Sequence, residues 1–250
     1  GIPVNEFKTC MVIPCFNEED RLDESKFEIL IKSGLVTLLF VDDCSTDMTE
    51  LKIQSIKSKW PSSVEVISQI MNYGKGEAVR VGMLEAMNME NHYVGFMDAD
   101  FAVPPEEVIR FLNEVNNLDG KLVFLGSRVK LLGSQISRTF KRHFFGRVFA
   151  TLASFITRIQ IYDSQCGLKV FKVNSNFKLS LETPFRTRWL FDLELLQRIN
   201  NQQIGNVGSE KIQEIAVEIP LRQWDEVSGT KFSLLAQIKS IWQLLFLIKR

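Results

Sequence analysis

Short apolar runs alternate with longer segments whose apolar residues recur every three or four positions, and the alternation persists from Thr9 to about Leu125. Thr9-Cys10-Met11-Val12-Ile13 is stopped by Pro14, the pattern of a buried central strand meeting a loop. Asn17-Glu18-Glu19-Asp20 is expected to open a polar helix. Val36 to Val41 reads as a second strand running into Asp42-Asp43-Cys44-Ser45-Thr46-Asp47, where Ser45, Thr46 or Asp47 can cap a helix reaching about Lys59. Val64 to Ile67 is a third strand, followed by Asn72-Tyr73-Gly74-Lys75-Gly76 and a helix with Val79, Met83, Ala86 and Met87 on one face. His92 to Met97 is the fourth strand. It ends in Asp98-Ala99-Asp100, and Pro104-Pro105 then opens a helix with Val108, Phe111, Leu112 and Val115 at i, i+3, i+4 and i+7. Leu122 to Leu125 is the fifth, ending in Gly126-Ser127-Arg128.

Beyond Arg128 the rhythm changes. Phe144, Phe145, Val148, Phe149, Leu152, Phe155, Ile156 and Ile159 mark a long amphipathic helix with Arg and Lys on its polar face. Asp163 to Lys169 reads as a loop turning into a strand, and a helix around Trp189 to Ile199 carries Asp192 and Glu194. Ile215, Val217 and Ile219 alternate as a strand. Gln223 to Lys231 follows, and a helix from Ser233 places Leu234, Ile238, Ile241, Trp242 and Leu245 on one face.

Strands alternating with helices predict an α/β fold with a doubly wound, mostly parallel sheet flanked by helices. Ligands of such sheets collect outside the carboxyl ends of the strands. Pro14, Asp42-Asp43, Asn72 to Gly76, Asp98-Asp100 and Arg128 all follow predicted strands directly, so these five polar stations are expected on one rim. Asp98 and Asp100 stand at i and i+2 of an extended chain, which puts both carboxylates on one side. They repel unless a positive group lies between them. A hard divalent cation with positions left for phosphate oxygens suits such a pair.

Composition narrows the picture. The 250 residues carry 30 basic and 30 acidic side chains, so bulk charge gives no sign of nucleic-acid binding. Gly120 to Tyr162, however, holds no Asp or Glu while Lys121, Arg128, Lys130, Arg138, Lys141, Arg142, Arg147 and Arg158 fall within it. The four cysteines show no C-x-x-C pair and read as free thiols in a reducing compartment. The first residues lack the pattern of a secretory leader, and no apolar run approaches the roughly 20 residues of a membrane span. No G-x-G-x-x-G follows the first strand and Gly74-Lys75-Gly76 lacks P-loop spacing, which argues against a dehydrogenase and an ATPase. A phosphorylation receiver domain would leave residues 128 to 232 unexplained.

The ordered set Val12-Ile13-Pro14-Cys15-Phe16-Asn17-Glu18, Val41 to Asp47, Asn72 to Gly76 and Asp98-Ala99-Asp100 resembles family 2 of the inverting glycosyltransferases, which have the GT-A fold. Gly126-Ser127-Arg128, Asp163 to Phe171, Phe191 to Leu196 and Trp224 to Lys231 are similar to the dolichyl- or polyprenyl-phosphate glycosyltransferases, nearer the glucosyl than the mannosyl branch. The resemblance implies residues 1–127 as the nucleotide-sugar half of one domain, 128–232 as the acceptor half, and 233–250 as a C-terminal amphipathic helix. It implies transfer of a sugar, glucose from UDP-glucose foremost, onto a polyprenyl or dolichyl phosphate, by a protein peripheral at the cytoplasmic face of a membrane. It departs from the mannosyl synthases at Ala102, where they carry Gln, and in having no membrane spans.

By the same resemblance Pro14, Phe16, Glu18 and Asp43 line the base and ribose pocket, and Asp98 and Asp100 hold Mg²⁺ or Mn²⁺ on the diphosphate. Asp42 either joins that pocket or caps the following helix. Lys75, between two glycines, can approach the nucleotide or remain a solvated turn residue. A phosphate monoester is largely dianionic at neutral pH, so such an acceptor needs cations more than a base. Arg128 and Arg138 are expected to grip it and Lys231 to close over the donor phosphates. Asp163 and Gln165 shape the acceptor side, although Asp163 can equally cap a turn. Asp192 stands where hydroxyl-directed relatives keep a general base; an orienting role, paired with an arginine, is expected here. His92 and His143 read as structural. Two other readings stay open: a soluble family 2 enzyme elongating a cell-surface glycan with Asp192 as base, and a nucleotide-sugar binder without turnover. The Trp242 tail can meet a membrane, the core or another subunit.

Overall fold

The computed structural model describes residues 8–136, 140–205, 211–227, 242–244 and 247. Arg138, Lys231 and most of the expected C-terminal helix lie outside the described residues, as does the side chain of His143.

In chain order the elements are β1 (Thr9–Cys15), α1 (Glu24–Lys32), β2 (Thr37–Asp42), α2 (Thr49–Lys59), β3 (Val64–Ser68), α3 (Lys75–Asn88), β4 (Tyr93–Met97), α4 (Pro105–Asn117), β5 (Val123–Ser127) and β6 (Gln135–Ile136). They continue with α5 (Phe140–Thr157), β7 (Leu168–Lys172), α6 (Ser175–Leu181), α7 (Phe191–Gly205), α8 (Ile212–Ile215), β8 (Ala216–Pro220) and β9 (Gln223–Trp224). Seven strands form one sheet in the order β3-β2-β1-β4-β7-β5-β8, and β6 pairs with β9 beside it. β1 runs parallel to β2 and β4, β2 to β3, and β5 to β8, while β7 is antiparallel to both β4 and β5. The carboxyl ends of six strands and the start of β7 therefore share one rim. The five predicted stations stand on it.

Helices cover both faces, as a sheet with apolar residues on both sides requires. On one face Phe27 of α1 and Val108, Phe111 and Leu112 of α4 pack with Phe40, Tyr93 and Phe124. On the other, Val79, Met83 and Ala86 of α3 join Phe177 of α6 and Phe191, Leu195 and Leu196 of α7 over Val12, Val41 and Phe96. A third cluster ties Ala153 of α5 to Leu190, Leu193, Leu244 and Leu247, with Phe149 and Ile156 against it. Pro104 and Pro105 start α4 as expected, with Pro105 inside the first turn, where its missing N–H costs nothing.

Two expectations are corrected. The polar helix begins at Glu24, capped by Asp23, and not at Asn17. Asn17 holds φ 53°, and the Glu18 amide is drawn to Thr49 Oγ1 at 2.8 Å, so this stretch is a loop knitted to the one after β2. Ile215 closes the short α8 instead of opening the strand. The described apolar residues of α5 divide between core and surface. Phe149 and Ile156 pack inward, whereas Val148, Leu152 and Phe155 are exposed, Phe155 at 84%. Among the described residues no helix is long and apolar enough to cross a membrane.

Candidate active site

The two carboxylates ending β2 are almost wholly buried, and each holds a loop. Asp42 accepts from the Ser45 amide at 3.2 Å and from its hydroxyl at 2.5 Å, so it holds the loop after β2 and does not cap α2, whose N-cap is Met48. Asp43 accepts from the amides of Tyr73 and Gly74, both at 2.8 Å, and so ties the Asn72-to-Gly76 turn to the end of β2. Gly74 has φ 94°, a backbone conformation that glycine adopts without strain, and this aims the first turn of α3 at the rim. Burial raises the Asp43 carboxyl above its ordinary range despite those amides and the nearby charge of Arg188.

Pro14 lies within β1 beside Val41, and Phe16 and Glu18 follow it, half-buried. Glu18 takes Arg21 Nε at 2.6 Å. Burial pushes its carboxyl up; Arg21 opposes this, and Asp100 and Asp98 reinforce it. Glu18 thus shares a field with the acidic pair at the end of β4.

Asp98 follows β4 directly and Asp100 stands in the turn beyond it, near enough for the charge of Asp98 to act on it. Asp100 Oδ1 accepts from the Ala102 amide at 3.0 Å, and Phe101 between them holds φ 51°. Burial raises the Asp100 carboxyl, and the neighbouring Asp98 raises it further. Lys75 Nζ pairs with Asp98 Oδ1. Burial alone would lower the lysine, but Asp98 outweighs it and holds the ammonium above its usual range, with Asp192 and Asp100 adding to the effect. Gly167, at the start of β7, faces this pair across the β4–β7 ladder: a Cβ there would stand 2.0 Å from Asp98 Oδ2. Its lack of a side chain leaves the carboxylate its place.

Arg128, at the end of β5, is bidentate on Asp163, with Nε–Oδ2 and NH2–Oδ1 both 2.7 Å, and its own amide adds 3.0 Å to Oδ2. Its guanidinium lies 5.2 Å from the Trp224 ring centroid. Asp163 is fixed in turn because its amide and that of Tyr162 donate to the Glu218 carboxylate of β8, both at 2.9 Å. These two acceptor-side candidates thus form one unit, in which Asp163 aims the arginine. Gln165 is exposed on the loop leading to β7.

Asp192, in the first turn of α7, meets a lysine and not the expected arginine. Lys169 of β7 is fully buried, donates to the Cys166 carbonyl, and reaches Asp192 Oδ2 at 3.2 Å. Its ammonium also sits 5.5 Å from the Phe96 ring centroid. A lysine between Leu168 and Val170 in an apolar strand was the available signal, since a buried charge must find a partner. Arg188 and Glu194, described below, left no comparable mark in the sequence.

The acidic pair fits a divalent cation in charge and chemistry. Asp100 is short of compensating positive charge, and hard oxygens are the donors such cations take. Among the described residues no group of three His, Cys, Asp or Glu side chains is placed to hold a metal, so a cation here would need water or substrate oxygens to complete its shell.

The chain is similar to known proteins in sequence and in fold. A sequence model of the family described as glycosyl transferase family 2 matches residues 10–178. A dolichyl-phosphate beta-glucosyltransferase of Drosophila melanogaster is 30% identical over 240 residues, covering 89% of this chain and 68% of that protein. One from Trichomonas vaginalis is 27% identical over 248 residues, covering 94% and 69%. Among solved structures, the glucosyl-3-phosphoglycerate synthase of Mycobacterium tuberculosis, in complex with Mn²⁺, UDP and glucosyl-3-phosphoglycerate, superposes with TM-score 0.68 at 17% identity, over 96% of this chain and 79% of that one. The sheet, the loops on its rim and these likenesses agree: the chain belongs to glycosyl transferase family 2 and is a glycosyltransferase of the GT-A fold.

Proposed function

We propose that the protein transfers glucose from UDP-glucose to a polyprenyl or dolichyl phosphate, with inversion at the anomeric carbon. The observation that carries this reading is the burial of Asp192 against Lys169. A sugar hydroxyl needs a general base to become a nucleophile. Here the carboxylate placed for that task is held by a buried ammonium, in a pair whose side chains are 0% and 8% exposed. A phosphate monoester arrives already ionised and needs only to be held.

In this reading an acceptor phosphate oxygen attacks the anomeric carbon as the bond to the β-phosphate oxygen breaks and UDP departs. Pro14, Phe16, Glu18 and Asp43 border the uridine. Asp98 and Asp100 would hold Mg²⁺ or Mn²⁺, which when bound supplies Lewis-acid neutralisation of the leaving diphosphate. Lys75 adds positive charge beside them. Arg128, oriented by Asp163, offers its remaining NH1 group to the acceptor phosphate, and Gln165 joins it; the family resemblance adds Arg138 for the acceptor and Lys231 for the donor phosphates. Residues 1–127 serve the donor, and 128–232 carry the acceptor side together with Lys231 for the donor phosphates. The relatives named for dolichyl phosphate support the acceptor class, and the mycobacterial synthase with its UDP and Mn²⁺ supports the donor and ion. The exposed apolar residues of α5, with Trp189 and Trp242, suit peripheral contact at the cytoplasmic face of a membrane.

Incubation with labelled UDP-glucose, a short polyprenyl phosphate and Mn²⁺ is expected to give a mild-acid-labile glycolipid. Asp98→Ala and Asp100→Ala, or chelation of the metal, should each lower the rate about 10³-fold, the effect of losing several kcal/mol of charge stabilisation. Labelling of glycan hydroxyls alone would remove the lipid-phosphate assignment.

A further inference from the structure

We infer that Arg188 is a further donor-binding residue, its guanidinium laid over the Gly74 turn so that it meets the nucleotide's diphosphate. This deepens the proposed function and rests on it.

The loop before α7 is fastened from beneath. Glu194, 0% exposed, accepts from the Arg186 amide at 3.0 Å, the Thr187 amide at 2.9 Å, the Thr187 hydroxyl at 2.8 Å and Arg198 NH2 at 2.8 Å. Burial pushes this carboxyl up, yet those donors more than offset it and hold it below its ordinary range. On the far side the Trp189 amide donates to Gln243 Oε1 at 3.0 Å. Arg188 stands between these anchors, and its own side chain is exposed.

Its direction is set by a missing side chain. A Cβ on Gly74 would lie 3.0 Å from Arg188 Nε and 3.5 Å from Cζ, so glycine at 74 admits the guanidinium as well as the turn. NH2 donates to Asn72 Oδ1 at 2.9 Å. The charge reaches Asp43, the buried carboxylate that holds the same turn.

The charge inventory of the rim makes this position informative. Glu18, Asp42, Asp43, Asp98 and Asp100 are a poor reception for a diphosphate. Most nearby cations are already engaged: Arg21 with Glu18, Lys75 with Asp98, Arg128 with Asp163 and Lys169 with Asp192. Among the described residues Arg188 forms no ion pair with a carboxylate, so its fork remains available to phosphate oxygens. A guanidinium held by one amide oxygen on a loop anchored by a buried carboxylate is preorganised for an anion.

The test is calorimetric binding of UDP and of uridine, with Mn²⁺, to the whole chain and to Arg188→Ala, Arg188→Lys and Asn72→Ala, each checked by thermal melting. Arg188→Ala is expected to weaken UDP at least tenfold and leave uridine unchanged, Arg188→Lys to recover part of the loss, and Asn72→Ala to cost less than threefold. Wild-type affinity for UDP in Arg188→Ala would overturn the inference. So would an equal loss for uridine, or a loss in Asn72→Ala matching that of Arg188→Ala, since either would mean that Arg188 only shapes the turn. Failure of the unaltered chain to bind UDP would remove the donor reading itself.

Discussion

Asp100 shows at the scale of one residue how the site sets function against stability. Burial and Asp98 raise its carboxyl, and burial raises Glu18 and Asp43 as well. An acid whose pKa is higher in the folded chain takes up its proton there first. The free protein therefore gains stability as pH falls through the window just above the ordinary carboxylate range, and loses it as pH rises through that window. Removing the charge should do the same at fixed pH: Asp100→Asn is expected to melt above the parent at neutral pH, by about 2–4 °C for each kcal/mol relieved at this chain length, while transfer is lost. Melting curves from pH 5 to 8 check both; a lower melting temperature in Asp100→Asn would contradict the account. The acidic pair was legible in the sequence as a station at a strand end, although Asp100 stands in the turn beyond β4 and not on the strand. Asp42 was not resolved, since its choice depended on where Ser45 would turn. Lys169 announced its burial by standing in an apolar strand but not its partner, and Arg188 announced nothing: Asp192, Asn72 and Gly74 meet them only through the fold.

Among the elements, β7 decides the most. The alternating strands before it were readable as a parallel sheet, but nothing local says that β7 enters antiparallel between β4 and β5. That placement is a tertiary preference and brings Gly167 against Asp98. Gly167→Ala would force the Asp98 carboxylate aside at the rim, where few core contacts change. Transfer should fall about 100-fold, as expected for a displacement near 1 Å in a reacting constellation, with a smaller change in melting temperature. Activity within threefold of the parent would show that Asp98 does not need this position. The start of α1 was misread because acidic residues after a strand resemble a first helical turn, whereas Thr49 and Asp47 capture the amides of Glu18 and Glu19. Periodicity found α5, but periodicity reports apolar positions and not which of them are covered.

For the molecule as a whole, those uncovered positions indicate how it meets its acceptor. Val148, Leu152 and Phe155 project from α5, Leu131 and Leu132 follow the Arg128 loop exposed, and Trp189 and Trp242 are each about half exposed or more. The stretch from Gly120 to Tyr162, which holds five of these residues, carries no acid. Sedimentation with anionic vesicles should recover the protein at low salt, and Leu152→Ser with Phe155→Ser should weaken that partition at least about tenfold, given the worth of two apolar side chains, without altering UDP affinity. Unchanged sedimentation would move the contact elsewhere. Fold class and the polar rim were legible at this scale because strand order and loop position follow from alternation. The surface was not, because exposure is a property of the finished packing. The insertion of β7 has one more consequence. A chain still emerging from the ribosome, with β5 complete and β7 not yet made, holds β4 with an unfilled edge and β5 with neither neighbour. For at least the 40 residues separating Ser127 from Leu168, its half-built sheet depends on chaperones or on speed to stay out of the wrong company.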